Sequence, residues 1–443
     1  MLDRRSLFLG TAAAISASSL ATARELDSAD FGLKPSAPED QTAKLQRAVE
    51  TAAGSRTPLR LAAGTYRVGE VRLPPNTQLL GVRGQTRLAF QGGAHCLVSS
   101  RADQISIENI VIDGGGRPLG ERRGLITLSQ GRNVRVENCE ITGSTRNGLV
   151  LEGIEGVVEA NTISTAGEAG ILALDSRNLM ISRNTIRGIA NNGILVWRSA
   201  PGDDGTIVES NRIEDIAARA GGSGENGNGI NVFRAGNVMV RGNRIRNCAF
   251  SAVRANGASN ISVTGNTCTS AGEVALYAEF SFEGALFANN VIDGAAIGIS
   301  STNFKEGGRM AVISGNIIRN LINRRPAGTD PNDGAGIGIA VEADAAVSGN
   351  VIEGAPTAGV WAGWGQFLRD VAVTGNVIRF SPIGIAVSVV PGAGAALIAD
   401  NLVQGASKGA ILGMEWKRPV TGDLARDGVG RFAQLSVSGN RIR

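Results

Sequence analysis

Arg254, Tyr277 and Glu279 are the side chains whose types and spacing best suit chemistry on a protein surface: Tyr277 follows Arg254 by one repeat length, and Glu279 stands two residues further on. A guanidinium holds a carboxylate or sulfate through charge-assisted bonds. A phenol or guanidinium beside a carboxylate can exchange a proton, the carboxylate setting its pKa. These three are therefore the candidate catalytic residues. Trp197, Asn231, Phe233, Asn256 and Trp361 are candidate substrate-binding residues, offering aromatic faces to a sugar ring and amides to its hydroxyls, and Trp364 extends the same floor. Polar residues are also expected on any exposed strand, and cross-strand Arg–Glu neighbours commonly do no more than pair in solvent. Two functions therefore stay open. One is a carbohydrate-binding protein with lyase, epimerase or hydrolase activity. The other is a non-enzymatic repeat scaffold for a cell-surface polymer or a protein partner.

Other chemistries find little support. The single histidine, His95, has no evident acid–base partner and no Cys-x-x-Cys nearby, so neither general acid–base work nor metal ligation is expected there. Hydrolysis needs two facing carboxylates, and the candidates to face Glu279 are Glu225 and Glu306, both in loops. No carboxylate cluster of the kind that holds Ca²⁺ is visible, and Asp203-Asp204 reads as a solvated turn. No metal or cofactor is expected. Cys96, Cys139, Cys248 and Cys268 lack the spacing of a disulfide framework, and Cys139 and Cys268 replace Ile of sister repeats as small core residues. The formal charge of +4 is small and the arginines are scattered, without a basic stripe interleaved with aromatics, which argues against nucleic acid. An anionic polysaccharide remains compatible.

The elements that must position these side chains emerge from internal repetition. Segments such as GVVEANTIST, LMISRNTIRG, VMVRGNRIRN and AVISGNIIRN align, and place Asn161, Asn184, Asn211, Asn243, Asn266, Asn290, Asn316, Asn350, Asn376, Asn401 and Asn440 in phase. In two earlier repeats Asn109 and Asn138 stand one place early, leaving Ile110 and Cys139 in phase. Each unit runs strand, Asn bend, second short strand, variable turn, then a third strand of the form Gly-apolar-x-apolar. Alternation of period two marks strands with one buried face, and such short strands bury that face only when repeats stack. An all-β, single-stranded right-handed parallel β-helix of about 13 coils and three sheets follows. Asn suits the bend because it tolerates left-handed backbone angles, and stacked amides can bond along the axis. Glycine at 61 residues and aromatics at only 4% fit a narrow core with frequent turns.

In the third strand, x and the residue after the second apolar position point outward. The x positions run Ile126, Val150, Leu172 and Leu195, an apolar strip expected to be covered, then Asn231, Arg254, Tyr277 and Ser300. The second outward line holds Trp197, Phe233, Asn256, Glu279 and Thr302. Insertions at Glu214–Asn228 and Arg319–Ala335 enter before this strand on either side of Arg254 and Tyr277, and a third spans Gly413–Phe432. The first two are expected to wall an open groove four coils wide, roughly 19 Å at the strand spacing of a sheet.

Residues 1–23 read as a removable address. Arg4-Arg5-Ser6-Leu7-Phe8-Leu9 resembles the twin-arginine motif, ahead of a weakly apolar stretch and Ala21-Thr22-Ala23. The expectation is periplasmic or secreted protein delivered by the twin-arginine translocase, with no membrane span. Residues 24–79 are expected to form an N-terminal cap with a short helix ended by Gly54, and residues 80–443 the repeat domain. The run Asp30-Phe31-Gly32-Leu33-Lys34, then Asp40-Gln41-Thr42-Ala43-Lys44-Leu45-Gln46 and Leu61-Ala62-Ala63-Gly64-Thr65-Tyr66, resembles the opening of pectate-lyase-like right-handed β-helix proteins. The whole chain is similar to twin-arginine-exported β-helix repeat proteins. That resemblance implies a helix closing the N-terminal end of the coil, and polysaccharide lyases, hydrolases, epimerases or non-enzymatic relatives as the functional class. It does not choose among them.

Overall fold

The computed structural model describes residues 25–330 and 333–443, so the twin-arginine segment lies outside the described residues. Strand pairing organises the chain into a 15-stranded and a 29-stranded sheet, parallel throughout except for one hairpin. Strands pair with their equivalents one coil later, as in Ile163↔Ile186↔Ile213↔Ile245. This is a solenoid of about fourteen turns. The count exceeds the expected thirteen because the first rung of the 15-stranded sheet, Gly64–Val68, lies in the segment read as the cap.

The chain makes three strand ladders, and two of them merge into the larger sheet. Gly124–Glu137, Asn147–Glu159 and Asn192–Asp203 run extended through the corner between third strand and next coil, which joins the ladders on either side. The corner survives as a register shift, between Gly131 and Val134 for example. Two sheets thus replace the expected three, because short connections there stay extended instead of forming a turn.

The in-phase asparagines form a continuous ladder at one bend. Asn266 donates from its backbone N–H (2.9 Å) and from Nδ2 (3.0 Å) to Asn290 Oδ1, and Asn290 does the same to Asn316. Nδ2 of Asn290 also donates to the Val263 carbonyl, so the buried amide is fully partnered. The series runs from Asn161 to Asn440, and the Cys139 N–H starts it by donating to Asn161 Oδ1. The left-handed backbone position is not the ladder residue but the one before it: Ala160 (φ 55°), Arg183 (φ 55°), Gly242 (φ 62°), Asn289 (φ 57°). Asn109 (φ 61°) and Asn138 (φ 52°) occupy this position themselves, which explains why they stand one place early. Ile110 and Cys139 then enter the core, and Cys268 fills a rung between Ile245 and Ile292. All four cysteines are free and buried.

Near the N-terminus, Thr42–Ser55 forms a helix whose Leu45, Ala48, Val49 and Ala52 are buried in the continuous core. Asp40 Oδ1 accepts from the Thr42 N–H (2.9 Å) at its start. The helix runs past Gly54 and is closed by Arg56 in the left-handed region (φ 53°). No helix of the described residues is long and apolar enough to cross a membrane.

Candidate functional site

The register places Arg254 beside Tyr277 and Asn256 beside Glu279 on neighbouring strands Val253–Asn256 and Val274–Glu279. Arg254 Nε donates to Glu279 Oε1 at 2.5 Å, Asn256 Nδ2 donates to the same oxygen at 2.9 Å, and the guanidinium carbon lies 5.3 Å from the Tyr277 ring centre. The sequence missed a fourth member, Glu273, whose Oε2 accepts from Arg254 Nη1 at 3.3 Å. Its signal was faint, because it precedes the strand where the alternation begins.

The groove expected over these residues is closed. Arg325, from the second insertion, reaches back to Glu273 (3.2 Å) and is held by Asp333 (2.7 Å). The first insertion brings Gly224 onto the Arg254 guanidinium so closely that any side chain there would overlap it. The two loops also approach each other, since a Cβ on Gly328 would stand 2.8 Å from the Gly222 carbonyl oxygen. They roof the patch where the sequence reading had them walling it. Arg254 is left 8% exposed and Glu279 1%. Burial raises the pKa of Tyr277, with Glu279 and Glu273 adding to the effect, so the phenol is a poor base near neutrality. Burial also raises Glu273, against the pull of Arg254 and Arg325. Asn231 is buried beneath the first loop, its Nδ2 donating to the Glu225 carbonyl (3.2 Å) and its Oδ1 without a partner among the described residues.

An open groove lies instead over the earlier coils, with a volume of about 910 Å³. Its floor is the strip Val150, Leu172 and Leu195, stacked in register on successive strands. The first rung of that strip is Thr127, not Ile126: Gly124 stands one residue further from the pattern, and Ile126 turns into the core. One end carries Trp197 and Phe233, edge to face with ring centres 5.5 Å apart, and Arg234 lies over Phe233 at 4.7 Å. Trp197 is 37% exposed. One bank holds Glu168, paired with Arg146 (2.7 Å) and Asn147 (3.2 Å), and the other holds Glu152. Arg122 and Arg123 also line the groove and make no ion pair among the described residues. The readable signal for this site was the apolar outward strip itself, unusual for a solvent-facing strand, ending in Trp197.

Two further side chains find their places. His95 is buried behind the groove, its Nδ1 2.9 Å from Thr127 Oγ1, and burial followed by the nearby Arg123 lowers its pKa. Asp204 is not solvated: it is buried, 3.9 Å from Arg198, and burial raises its pKa. Among the described residues no group of three His, Cys, Asp or Glu is placed to hold a metal ion.

Parallel strands stacked rung on rung around one core, with a groove along an outer face, define a β-solenoid. The chain belongs to the right-handed β-helix family, whose profile, described as right handed beta helix region, matches residues 84–213 and 200–378. Among solved structures, gene product 12 of bacteriophage phi29 aligns with a TM-score of 0.55 at 16% identity, covering 93% of this chain and 58% of that one. The chain thus spans less than two thirds of the phage protein's length. PfbA, a surface adhesin of Streptococcus pneumoniae, aligns with a TM-score of 0.50 at 15% identity over 94% of this chain and 100% of that one. The catalytic unit of an α-1,3-glucanase from Streptomyces thermodiastaticus gives 0.51 at 14% identity, over 94% and 68%. These likenesses are of fold. No curated protein matches the sequence.

Proposed function

We propose that the protein binds a polysaccharide or oligosaccharide chain in the groove over its early coils. The observation that carries this reading is the join of an apolar floor, Val150–Leu172–Leu195, to the Trp197–Phe233 pair, bordered by carboxylates, amides and the arginines Arg122 and Arg123. Aromatic faces take the C–H faces of sugar rings, and the polar banks take hydroxyls. Arg122 and Arg123 favour a chain carrying carboxylate or sulfate groups. An α-1,3-glucanase built on the same fold supports a glycan as ligand.

Arg254, Tyr277 and Glu279 act in this reading as the clamp under the roof, saturating one another. The protein works outside the cytoplasm, delivered by the twin-arginine translocase, a reading that rests on residues 1–23 alone. Changing both Arg4 and Arg5 to Lys is expected to trap the precursor inside.

Calorimetric titration with uronate and neutral oligosaccharides tests the proposal. Trp197→Ala with Phe233→Ala should weaken binding strongly while leaving the unfolding midpoint unchanged. Undiminished affinity in that variant overturns it.

A further inference from the structure

Three of the chain's four tryptophans meet on the C-terminal coils, in a sequence only 4% aromatic. Trp361 and Trp364 have ring centres 6.1 Å apart, and Trp364 and Trp416 stand edge to face at 5.5 Å. We infer that this cluster is a second carbohydrate-binding site, one that stacks against a pyranose ring. It lies on the same ladder as the groove: the rungs carrying Trp197 and Trp361 are six apart, roughly 29 Å at the usual strand spacing.

The construction around Trp416 is unlike a packing site. Trp416 occupies the tip of the hairpin Gly409–Glu415 and Arg418–Asp423, the one antiparallel pairing among the described strands. Its backbone is left-handed (φ 53°), a conformation that bulky residues rarely adopt and that costs energy to hold. The strain presents an indole that is 44% exposed, seated over Gly365, where a side chain would overlap the ring. A hydrophobic seal over Ile337, Ile383 and Leu412 beneath would need neither the exposure nor the strain.

Two polar features point to the ligand's chemistry. Trp361 is only 8% exposed, and its Nε1–H has no acceptor among the described residues. An indole N–H left in this way favours an arriving hydroxyl once the outer rings shift. The Lys417 ammonium stands 6.0 Å from the Trp364 ring centre and forms no salt bridge among the described residues, which leaves it available to a ring hydroxyl or carboxylate. Flat apolar faces with donors at the rim match a sugar, whose C–H face is apolar and whose edge is hydroxylated. A glycan engaging both this cluster and the groove would cross the roof over Arg254 and gain from the linkage of two weak sites.

The carbohydrate reading of the groove and this second site are separable by experiment, because Trp197→Phe leaves Trp361, Trp364 and Trp416 as the only indoles. The probes are cello-, galacturono- and mannurono-oligosaccharides, titrated while tryptophan emission is recorded. In Trp197→Phe a saturable change in emission is expected, and adding Trp416→Ala should weaken that binding about tenfold. Trp416 is exposed, and an unchanged unfolding midpoint would show that its removal leaves the fold intact. Flat emission in Trp197→Phe with every probe, while wild type responds, overturns the second site and leaves the groove standing. A response in Trp197→Phe that is absent when only Trp197 is kept does the reverse. Flat emission in all three proteins overturns both.

Discussion

Arg254 and Glu279 form a 2.5 Å ion pair from adjacent rungs on the outer face of the coil, yet neither reaches solvent freely, because two insertions from coils on either side close over them. Such a pair is expensive to break from one side, since the surviving charge stays buried. Arg254→Ala should therefore destabilise the protein by about 3–5 kcal/mol. Replacing both residues by Met and Leu should restore most of that loss. Urea unfolding of the two variants checks this. Equal loss in single and double variants would show that the pair is no clamp.

The asparagine ladder should be equally sensitive at its centre. Asn290→Leu removes an oxygen that accepts two donors from Asn266 and an amide that donates to Val263 and Asn316. Leaving those groups unpaired should cost on the order of 3 kcal/mol. Asn440, at the end of the series, accepts the same two donors from Asn401 but has no following rung to donate to and is partly exposed, so the same change there should cost less. Comparison of the two unfolding midpoints reads the difference. Similar shifts would mean that side-chain volume, rather than the ladder, sets the loss.

Stability should also carry a pH signature from Glu342. Burial pushes its carboxyl up from 4.5 to about 7, while the backbone N–H groups of Phe304 and Asn303 pull it down. A carboxyl raised in the folded state binds more protons folded than unfolded, so its contribution falls as pH rises from 4.5 to about 7. Glu342→Gln keeps an acceptor without the charge. The stability of wild type minus that of the variant should decline across this window and then level off. Parallel curves from urea unfolding at a series of pH values would reject it.

The thiols give a simpler test. Burial pushes Cys96, Cys139 and Cys268 up to about 12, and raises Cys248 as well. The native protein should therefore not react with Ellman's reagent at neutral pH, whereas the unfolded chain should show all four thiols. A thiol that reacts in the native state would expose an opening of the coil.

The fold was legible because a parallel coil repeats its constraints: one in-phase Asn per turn and alternating Ile or Val leave few other arrangements. Even the irregular Asn109 and Asn138 were visible as a shift of one, although the left-handed position that causes it was not. The site was legible only as far as periodicity reaches. It placed Arg254, Tyr277 and Glu279 side by side, but the roof comes from insertions that obey no repeat and whose direction no pattern encodes. The slip at Gly124, which put Thr127 rather than Ile126 at the head of the apolar strip, has the same origin. So does Trp416, carried to Trp364 by a hairpin with no counterpart in other coils.

The ladder runs one way, each rung giving two hydrogens to the rung after it and taking two from the rung before. One turn is therefore interchangeable with another as far as these bonds are concerned. A gene duplication that adds a whole turn, or a deletion that removes one, rejoins the same donor to the same acceptor. Length along the axis is thereby free to drift by single turns over evolutionary time, while a change of a few residues within the bend breaks the chain of amides at once.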